Sequence, residues 1–224
     1  MNKFSYVVII PARGGSKSIK HKNLQKINGK SLIQISIEKF KGLDNISSII
    51  ITSDSEEILN EAKKYGAVAW KRPKSLSGDT AKSESAIKDV LENCHSIQPN
   101  SNIIFHQCTS PLLKFDSIQE ALKKFEDTNA TSVFTVQEEY NPVWKNQNNE
   151  VEILNTDDLQ RKGRQERDPL LIETGGLYVI NRKGFMKDFN RFGENPVAIK
   201  VSRVESIDID DEIDLIIASK LNEI

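Results

Sequence analysis

The sequence predicts an α/β fold, Rossmann-like and three-layered, on a mainly parallel sheet. Three observations carry that expectation. Short apolar runs such as "YVVII" (6–10) do not alternate with polar residues, as in strands buried on both faces. Segments with apolar residues at helical spacing lie between successive runs. Strands alternating with helices are joined by right-handed crossovers, which make neighbouring strands parallel.

The elements follow in order. After the first strand, "SLIQISIEKF" sets Leu32, Ile33, Ile37 and Phe40 near one helical face. "SSIIITSD" is strand-like and ends at Asp54, and Ile58, Leu59, Ala62 and Tyr65 mark a second helix. "AVAW" (67–70) is a short strand, and the loop "KRPKSLSGDTAKSE" leads to a helix holding Ile87, Val90 and Leu91. "NIIFHQ" (102–107), "DSIQEALKKFED" and "TSVFTVQ" (131–137) read as strand, helix and strand. Beyond residue 138 the rhythm breaks. "VWKNQNNEVEIL" resembles a hairpin turning at Asn148 and Asn149, and the charged stretch "NTDDLQRKGRQERDP" follows. "GGLYVIN" and "PVAIKV" resume strands, and "DEIDLIIASKL" closes with Ile213, Ile216, Ile217 and Leu221 at helical spacing. The expected organisation is one domain over 1–224, with 138–172 an excursion that covers the site or meets a second subunit.

Composition narrows the function. The chain has 224 residues, 38% hydrophobic and 28% charged, with a net charge of −1. That balance argues against general nucleic-acid binding, which uses a broadly basic face. No apolar run approaches the ~20 residues of a membrane-spanning helix, and the N-terminal run is too short for a secretory signal. A cytoplasmic protein with no membrane partner is expected. Cys94 and Cys108 have no CxxC spacing and read as reduced thiols. His21, His95 and His106 show no zinc-ligand spacing.

Against this neutral background, "PARGGSKSIKHKN" concentrates Arg13, Lys17, Lys20 and Lys22 just after the first strand. Ligands of open α/β sheets bind beyond the carboxyl ends of the strands, where this loop lies. Gly14 and Gly15 let backbone amides approach an anion. Arg13 forks onto phosphate oxygens, and Lys17 and Lys22 add point charges. The loop is neither GxxxxGK(S/T) nor GxGxxG. On the residues alone it reads as a phosphate site, the alternative being a glycine turn followed by a solvated basic loop. Near the other end, "ESIDIDDEIDL" places Asp208 and Asp210 at i and i+2. In a strand such residues share a face, and together they suit one hard cation completed by phosphate oxygens and water. Asp211, Glu212 and Asp214 fit the N-terminal turn of the last helix, where acids are favoured.

These stretches carry a family resemblance. "IPARGGSKSIKHKN" resembles the N-terminal signature of the CMP-sialic acid synthetases, or acylneuraminate cytidylyltransferases, approximately (I/L)-x-A-R-x-x-S-K-x-x-x-x-K-N. Arg13, Ser16, Lys17, Lys22 and Asn23 fall on it, and Ser18 stands where glycine is common. "KRPKSLSGDTAKSESAI" is similar to the family's R-P-x-x-L-x-x-D-T-A-x-S segment. That similarity implies nucleotide contacts from Arg72 and Ser83, with Asp79 and Thr80 shaping the loop. "FHQCTSPLL" resembles the family's LLQPTSPLR and implies that Gln107 lies near an acceptor sugar. Cys108 replaces a common proline and Leu113 a common arginine, changes expected to bear on the acceptor. "GRQERDPLLIETGGLYVIN" resembles P-R-Q-x-x-P-x-x-x-x-x-N-G-A-x-Y-(I/V), which implies sugar contacts from Arg164, Gln165 and Tyr178. Thr174-Gly175-Gly176 replaces the usual Asn-Gly-Ala. "ESIDIDDEIDL" matches S-I-D-I-D-x-x-x-D-L.

The resemblance implies a nucleotidyltransferase fold with a dimerisation extension. It implies the reaction of CTP with a nonulosonic, sialic-type acid of nine carbons to give the CMP-sugar and pyrophosphate. The catalytic set expected is Arg13, Lys17, Asp208 and Asp210, the last two holding Mg²⁺. The nucleotide set is Arg13, Gly14, Gly15, Ser16, Lys17, Lys22, Asn23, Arg72, Asp79 and Ser83. A homodimer is expected, with residues 138–172 reaching the other subunit's site. Two other readings remain: a glycosyltransferase using Asp208-Ile209-Asp210 as a DxD pair, and a non-catalytic nucleotide-binding protein. The loop fits the CMP-Kdo synthetase pattern IPARYxSxRLPxKPL poorly.

Overall fold

A computed structural model describes residues 4–78, 80–148, 150–154 and 163–221. Its spine is a sheet of seven strands: β1 (Tyr6–Pro11), β4 (Ile46–Ser53), β5 (Val68–Lys71), β6 (Asn102–His106), β7 (Ser132–Glu139), β10 (Leu170–Ile180) and β11 (Pro196–Lys200). The order across the sheet is β11-β7-β10-β6-β1-β4-β5. β1 sits between β4 and β6, parallel to both, and β10 is the antiparallel member, between β6 and β7.

The helices are α1 (Leu32–Glu38), α2 (Glu56–Lys64), α3 (Ser83–Asn93), α4 (Phe115–Asp127), α5 (Arg182–Asp188) and α6 (Glu212–Leu221). β1 shows why the layers number three. Tyr6, Val8 and Ile10 pack into a core with α1, α2 and α4, while Val7 and Ile9 pack into a second core with α3 and Phe185 of α5. Both parities of the strand are buried, which is what an unbroken apolar run encodes. Ser31 caps α1 by accepting from the Gln34 amide at 3.1 Å, and Asn181 caps α5 through the Gly184 amide at 2.9 Å, each filling an orphan donor of a first turn.

The break after residue 138 is a second small sheet. β8 (Trp144–Gln147) and β9 (Glu150–Ile153) pair antiparallel, and Asn148 takes φ 54° at the turn. Asn149 lies outside the described residues. Trp144, Val151, Leu154 and Leu171 are all about half or more exposed, from 49% to 64%. β2 (Lys26–Ile27) and β3 (Lys30–Ser31) form a third two-stranded piece.

Two elements differ from expectation. The Asp208–Asp210 segment is not a strand. Its backbone is anchored by the Ile209 amide donating to the Thr109 carbonyl at 2.8 Å, and the Ile209 side chain is fully buried. The last helix is α6, but its isoleucines face outward: Ile213, Ile216 and Ile217 are exposed, while Ala218 is buried and Leu215 and Leu221 pack on the core. No helix among the described residues is long and apolar enough to cross a membrane. Cys94 and Cys108 are free and buried, and burial pushes the Cys108 thiol up to about 12.

Candidate active site

A cleft of about 440 Å³ opens at the carboxyl ends of β1, β5 and β6. Its walls come from distant parts of the chain. The opening loop supplies Arg13, Ser16, Lys17, Lys22 and Asn23. The 72–83 loop supplies Arg72, Lys82 and Ser83. Gln107 and Thr109 follow β6, and Asp208 and Asp210 close the far side. Five cationic side chains thus face two carboxylates, in a chain whose overall charge is close to zero.

Each side is held by identifiable contacts. Asn23 Nδ2 donates to the Arg13 carbonyl at 3.0 Å, closing the opening loop on itself. The Arg72 amide donates to the Ser53 carbonyl at 2.8 Å, seating the residue against the end of β4. Arg72 is 6% exposed, and its Nε has no partner among the described residues. Burial pulls its pKa down, and the charges of Asp54 and Asp89 oppose that shift. Such a guanidinium is held ready for an anion. Lys22 Nζ donates to the Ile209 carbonyl at 2.7 Å and lies 3.3 Å from Asp210 Oδ1. It therefore ties the opening loop to the acidic segment across the cleft.

Asp208 and Asp210 differ in setting. Asp210 is exposed, and its amide donates to the Asp214 carboxylate at 2.9 Å. The Asp208 carboxyl is raised above its ordinary value by burial first, with the negative charges of Asp210 and Asp214 adding and a Thr109 hydrogen bond and the Lys22 charge opposing. Its Oδ1 is buried with no partner among the described residues. A buried anionic oxygen without a donor is costly unless a cation completes it. Two carboxylates, one of them so placed, fit the few-carboxylate habit of Mg²⁺. Among the described residues no group of three or more acidic, His or Cys side chains forms a larger metal cage. Asp211 Oδ1 accepts from the Ile213 and Asp214 amides and caps α6, so it is spent on the helix.

Several expected site residues lie elsewhere. The Gly14 amide donates to Asp54 Oδ1 at 2.9 Å, so it is committed to the protein rather than offered to an anion. Gly14 is required by space, since a Cβ there would stand 2.8 Å from Ser55 Cβ. Gly15 has nothing near its Cβ position and does not line the cleft. Tyr178 is a core residue: 1% exposed, stacked on Phe105 with centroids 5.2 Å apart, its hydroxyl bonded to Glu173. Strand parity sends it into the second core with Ile180. Leu113 and Cys108 are buried in the first core, so neither departure from the resembled pattern places a side chain in the cleft. Arg164 and Gln165 sit in an exposed 3₁₀ turn, Arg164 5.0 Å from the Tyr140 ring centre, and do not line this cleft. Asp79 lies outside the described residues. Sequence reading assigned no role to Thr109, Lys82 or Asp54. Asp54 ends an apolar strand in "ITSD", the one signal that marked it.

The comparisons agree with this geometry. A family model described as Cytidylyltransferase matches residues 7–219. The chain is 32% identical over 226 aligned positions to a pseudaminic acid cytidylyltransferase of Campylobacter jejuni serotype O:2, covering 96% of this chain and 95% of that one. It is 27% identical to an N-acylneuraminate cytidylyltransferase of Streptococcus agalactiae, covering 94% of this chain and 51% of that longer one. A CMP:2-keto-3-deoxy-manno-octonic acid synthetase solved with CTP shares the fold at a TM-score of 0.69 and 15% identity, over 98% of this chain and 100% of that one. A basic cleft at the strand ends, two acids opposite it and a match across nearly the whole chain lead to one conclusion: the chain belongs to the cytidylyltransferase family.

Proposed function

We propose that the cleft binds CTP and activates a nine-carbon nonulosonic acid as its CMP-sugar, releasing pyrophosphate. The supporting observation is the pairing of Arg13, Lys17, Lys22, Arg72 and Lys82 with Asp208 and Asp210 around one cavity. The full-length likeness to a relative named for pseudaminic acid directs the acceptor to this class. The acceptor's anomeric C2 hydroxyl attacks the α-phosphorus. An O–P bond forms as the bond to the pyrophosphate oxygen breaks, and the hydroxyl proton leaves to solvent. Arg13 and Lys17 stabilise the charge that builds on the phosphates. Lys22, Asn23, Arg72 and Ser83 hold the nucleotide, and Gln107 hydrogen-bonds the sugar. Asp208 and Asp210 hold Mg²⁺, which when bound neutralises phosphate charge and orients the α-phosphoryl group. Most of the rate then comes from positioning and electrostatics.

The arm at 138–172 joins the reading as a dimer contact. Its exposed Trp144, Val151 and Leu171 are covered by a second copy, and Arg164 and Gln165 act in that copy's cleft, where a guanidinium suits the acceptor carboxylate. The test is pyrophosphate release from CTP and Mg²⁺ across a panel of pseudaminate, N-acetylneuraminate and legionaminate. Release with at least one of them is expected. A protein that consumed CMP- or UDP-sugars but never CTP would be a glycosyltransferase, and one that bound CTP without turnover on any acid would be a binding protein.

A further inference from the structure

We propose that His106 is a positioning residue that sets acceptor selectivity by holding a bulge of β10 against Gln107. The proposal rests on the reading above that Gln107 faces the acceptor.

The bulge is visible in the register. Along β10, Glu173 pairs with Val136 of β7 and Tyr178 with Phe134, so five steps on one strand match two on the other. Four residues, Thr174 to Leu177, thus stand opposite the single Thr135, a surplus of three, and the first three, Thr174-Gly175-Gly176, are the stretch that departs from the resembled Asn-Gly-Ala. Bulges re-aim a strand beside a site, and this one is fastened from two sides. On the core side, His106 Nδ1 lies 2.6 Å from the Gly176 carbonyl, in a fully buried ring. On the other, Thr174 Oγ1 accepts from the Gly176 amide at 3.3 Å and donates to the Thr135 carbonyl at 3.2 Å, with Thr135 Oγ1 a further 2.6 Å contact.

The fastening reaches the cleft directly. The Gly176 carbonyl also accepts from the Gln107 amide at 3.4 Å. Gly175, at φ +74°, stands where a Cβ would lie 3.3 Å from Gln107 Nε2. The side-chain amide that lines the cleft therefore rests on the bulge. Gly176 in turn leaves room for Ser110, whose Cβ and Oγ would be 3.1 Å from an alanine methyl there.

Chemistry fixes the role of His106. A carbonyl only accepts, so Nδ1 carries the hydrogen and Nε2 is a bare lone pair, buried with no partner among the described residues. Burial, with the Lys39 charge adding, pushes the ring down to about 3. It is neutral across the physiological range and transfers no proton in the reaction. Its other ring contact, a T-shaped one to Phe40 with centroids 5.3 Å apart, is one that any apolar ring would make. The hydrogen bond to Gly176 is what the imidazole adds.

The experiment compares His106→Leu, His106→Asn and Thr174→Val with the full-length wild type, measuring KM for CTP, KM for each turned-over acid, and kcat. Losing one buried hydrogen bond that positions the amide is expected to raise the acceptor KM about tenfold in His106→Leu. The CTP KM should stay within about twofold, because the nucleotide contacts do not pass through β10. Asparagine keeps a donor near Nδ1 and should recover most of the loss. Thr174→Val should move the same ratio in the same direction, and decides the matter if His106→Leu does not fold. The ranking of the acids should change in the variants. Equal changes in both KM values, or an asparagine variant no better than leucine with Thr174→Val silent, would overturn the proposal. Wild-type turnover reports separately on the cytidylyltransferase reading. Normal wild-type turnover with unaltered variants fails this inference alone, and a wild type inactive on every acid removes its premise.

Discussion

Replacing Asp208 by asparagine separates what the carboxylate costs the fold from what it gives the reaction. Oδ1 of Asp208 is buried with no partner among the described residues, and burial holds its carboxyl above the ordinary 3.8. A buried polar atom left unmatched costs about 1–3 kcal/mol, and more when charged. The Thr109 hydrogen bond and the Lys22 charge recover part of that. Removing the charge at constant shape should therefore stabilise the metal-free protein by about 1 kcal/mol, or about 2–4 °C in Tm for a chain of this size. The pH dependence has a definite sign. Below 3.8 the group is protonated whether folded or not, and the penalty is absent. As pH rises through the unfolded and then the raised folded pKa, the unfolded state loses its proton first and wild-type stability falls. The advantage of Asp208→Asn should open across that window and stay constant above it. Mg²⁺ should reverse the order. At ten times its Kd, a ligand of the folded state adds about 1.4 kcal/mol, and only to the wild type. Turnover of the variant should drop by about 10²–10³, the scale of losing one charge-stabilising group. Thermal denaturation with and without Mg²⁺, from pH 3 to 8 (about one unit per step), reads all of this. An Asp208→Asn protein destabilised without metal, or equally stabilised by Mg²⁺, would refute the reasoning.

The other expectations are simpler. Gly14→Ala drives a methyl to 2.8 Å from Ser55 Cβ, an atom too close to backbone to swing aside. Overpacking of this kind costs about 1–3 kcal/mol, read by denaturant titration, with the CTP KM raised as the opening loop shifts. Lys22→Met removes the 2.7 Å bond to the Ile209 carbonyl and a charge that the proposed function assigns to the phosphates. The CTP KM should rise about tenfold or more, the scale of a charged hydrogen bond, and unchanged CTP affinity would count against the loop. Trp144→Asp with Leu171→Asp places charges on the exposed apolar arm. Light scattering should show a monomer whose acceptor kinetics collapse, and a monomeric wild type would remove the arm's assigned role.

What the sequence made legible follows from periodicity. Both parities of β1 are apolar because both are buried, so the layer count was readable from five letters. The acidic pair was legible for a related reason. Alternation of side chains belongs to extended backbone, whether or not it joins a sheet. Asp208 and Asp210 line the cleft with Ile209 buried between them, although the segment pairs through a single bond to Thr109. Periodicity was mute elsewhere. α6 is apolar on more than one side, and spacing alone favoured the isoleucines. Packing kept the expected Leu221 but added Leu215 and Ala218 in place of the isoleucines, since a small residue at the centre lets the helix approach closely. Tyr178 was placed by motif alignment, yet on β10 it shares parity with the buried Ile180 and not with the cleft. Asp54 escaped notice because its partner, the Gly14 amide, is forty residues away.

The same long-range closure explains the charge in the opening loop. A cluster of cations in isolation would repel itself and stay solvated. Here the loop is held at several points by contacts outside its own run of charges. Asn23 clamps the Arg13 carbonyl, Asp54 takes the Gly14 amide, and Lys22 crosses 187 residues of chain to the Ile209 carbonyl. The Lys22 side chain is 13% exposed while its partner Asp210 is 81% exposed, so the ion pair itself adds little stability. Its consequence is placement. Lys22 is anchored by a neutral carbonyl and only leans on Asp210, so its charge is not consumed. Lys22 thus holds one positive charge against the acidic wall of the cleft. Under the proposed function a polyanion would meet the basic wall of that cleft and a divalent cation its acidic one.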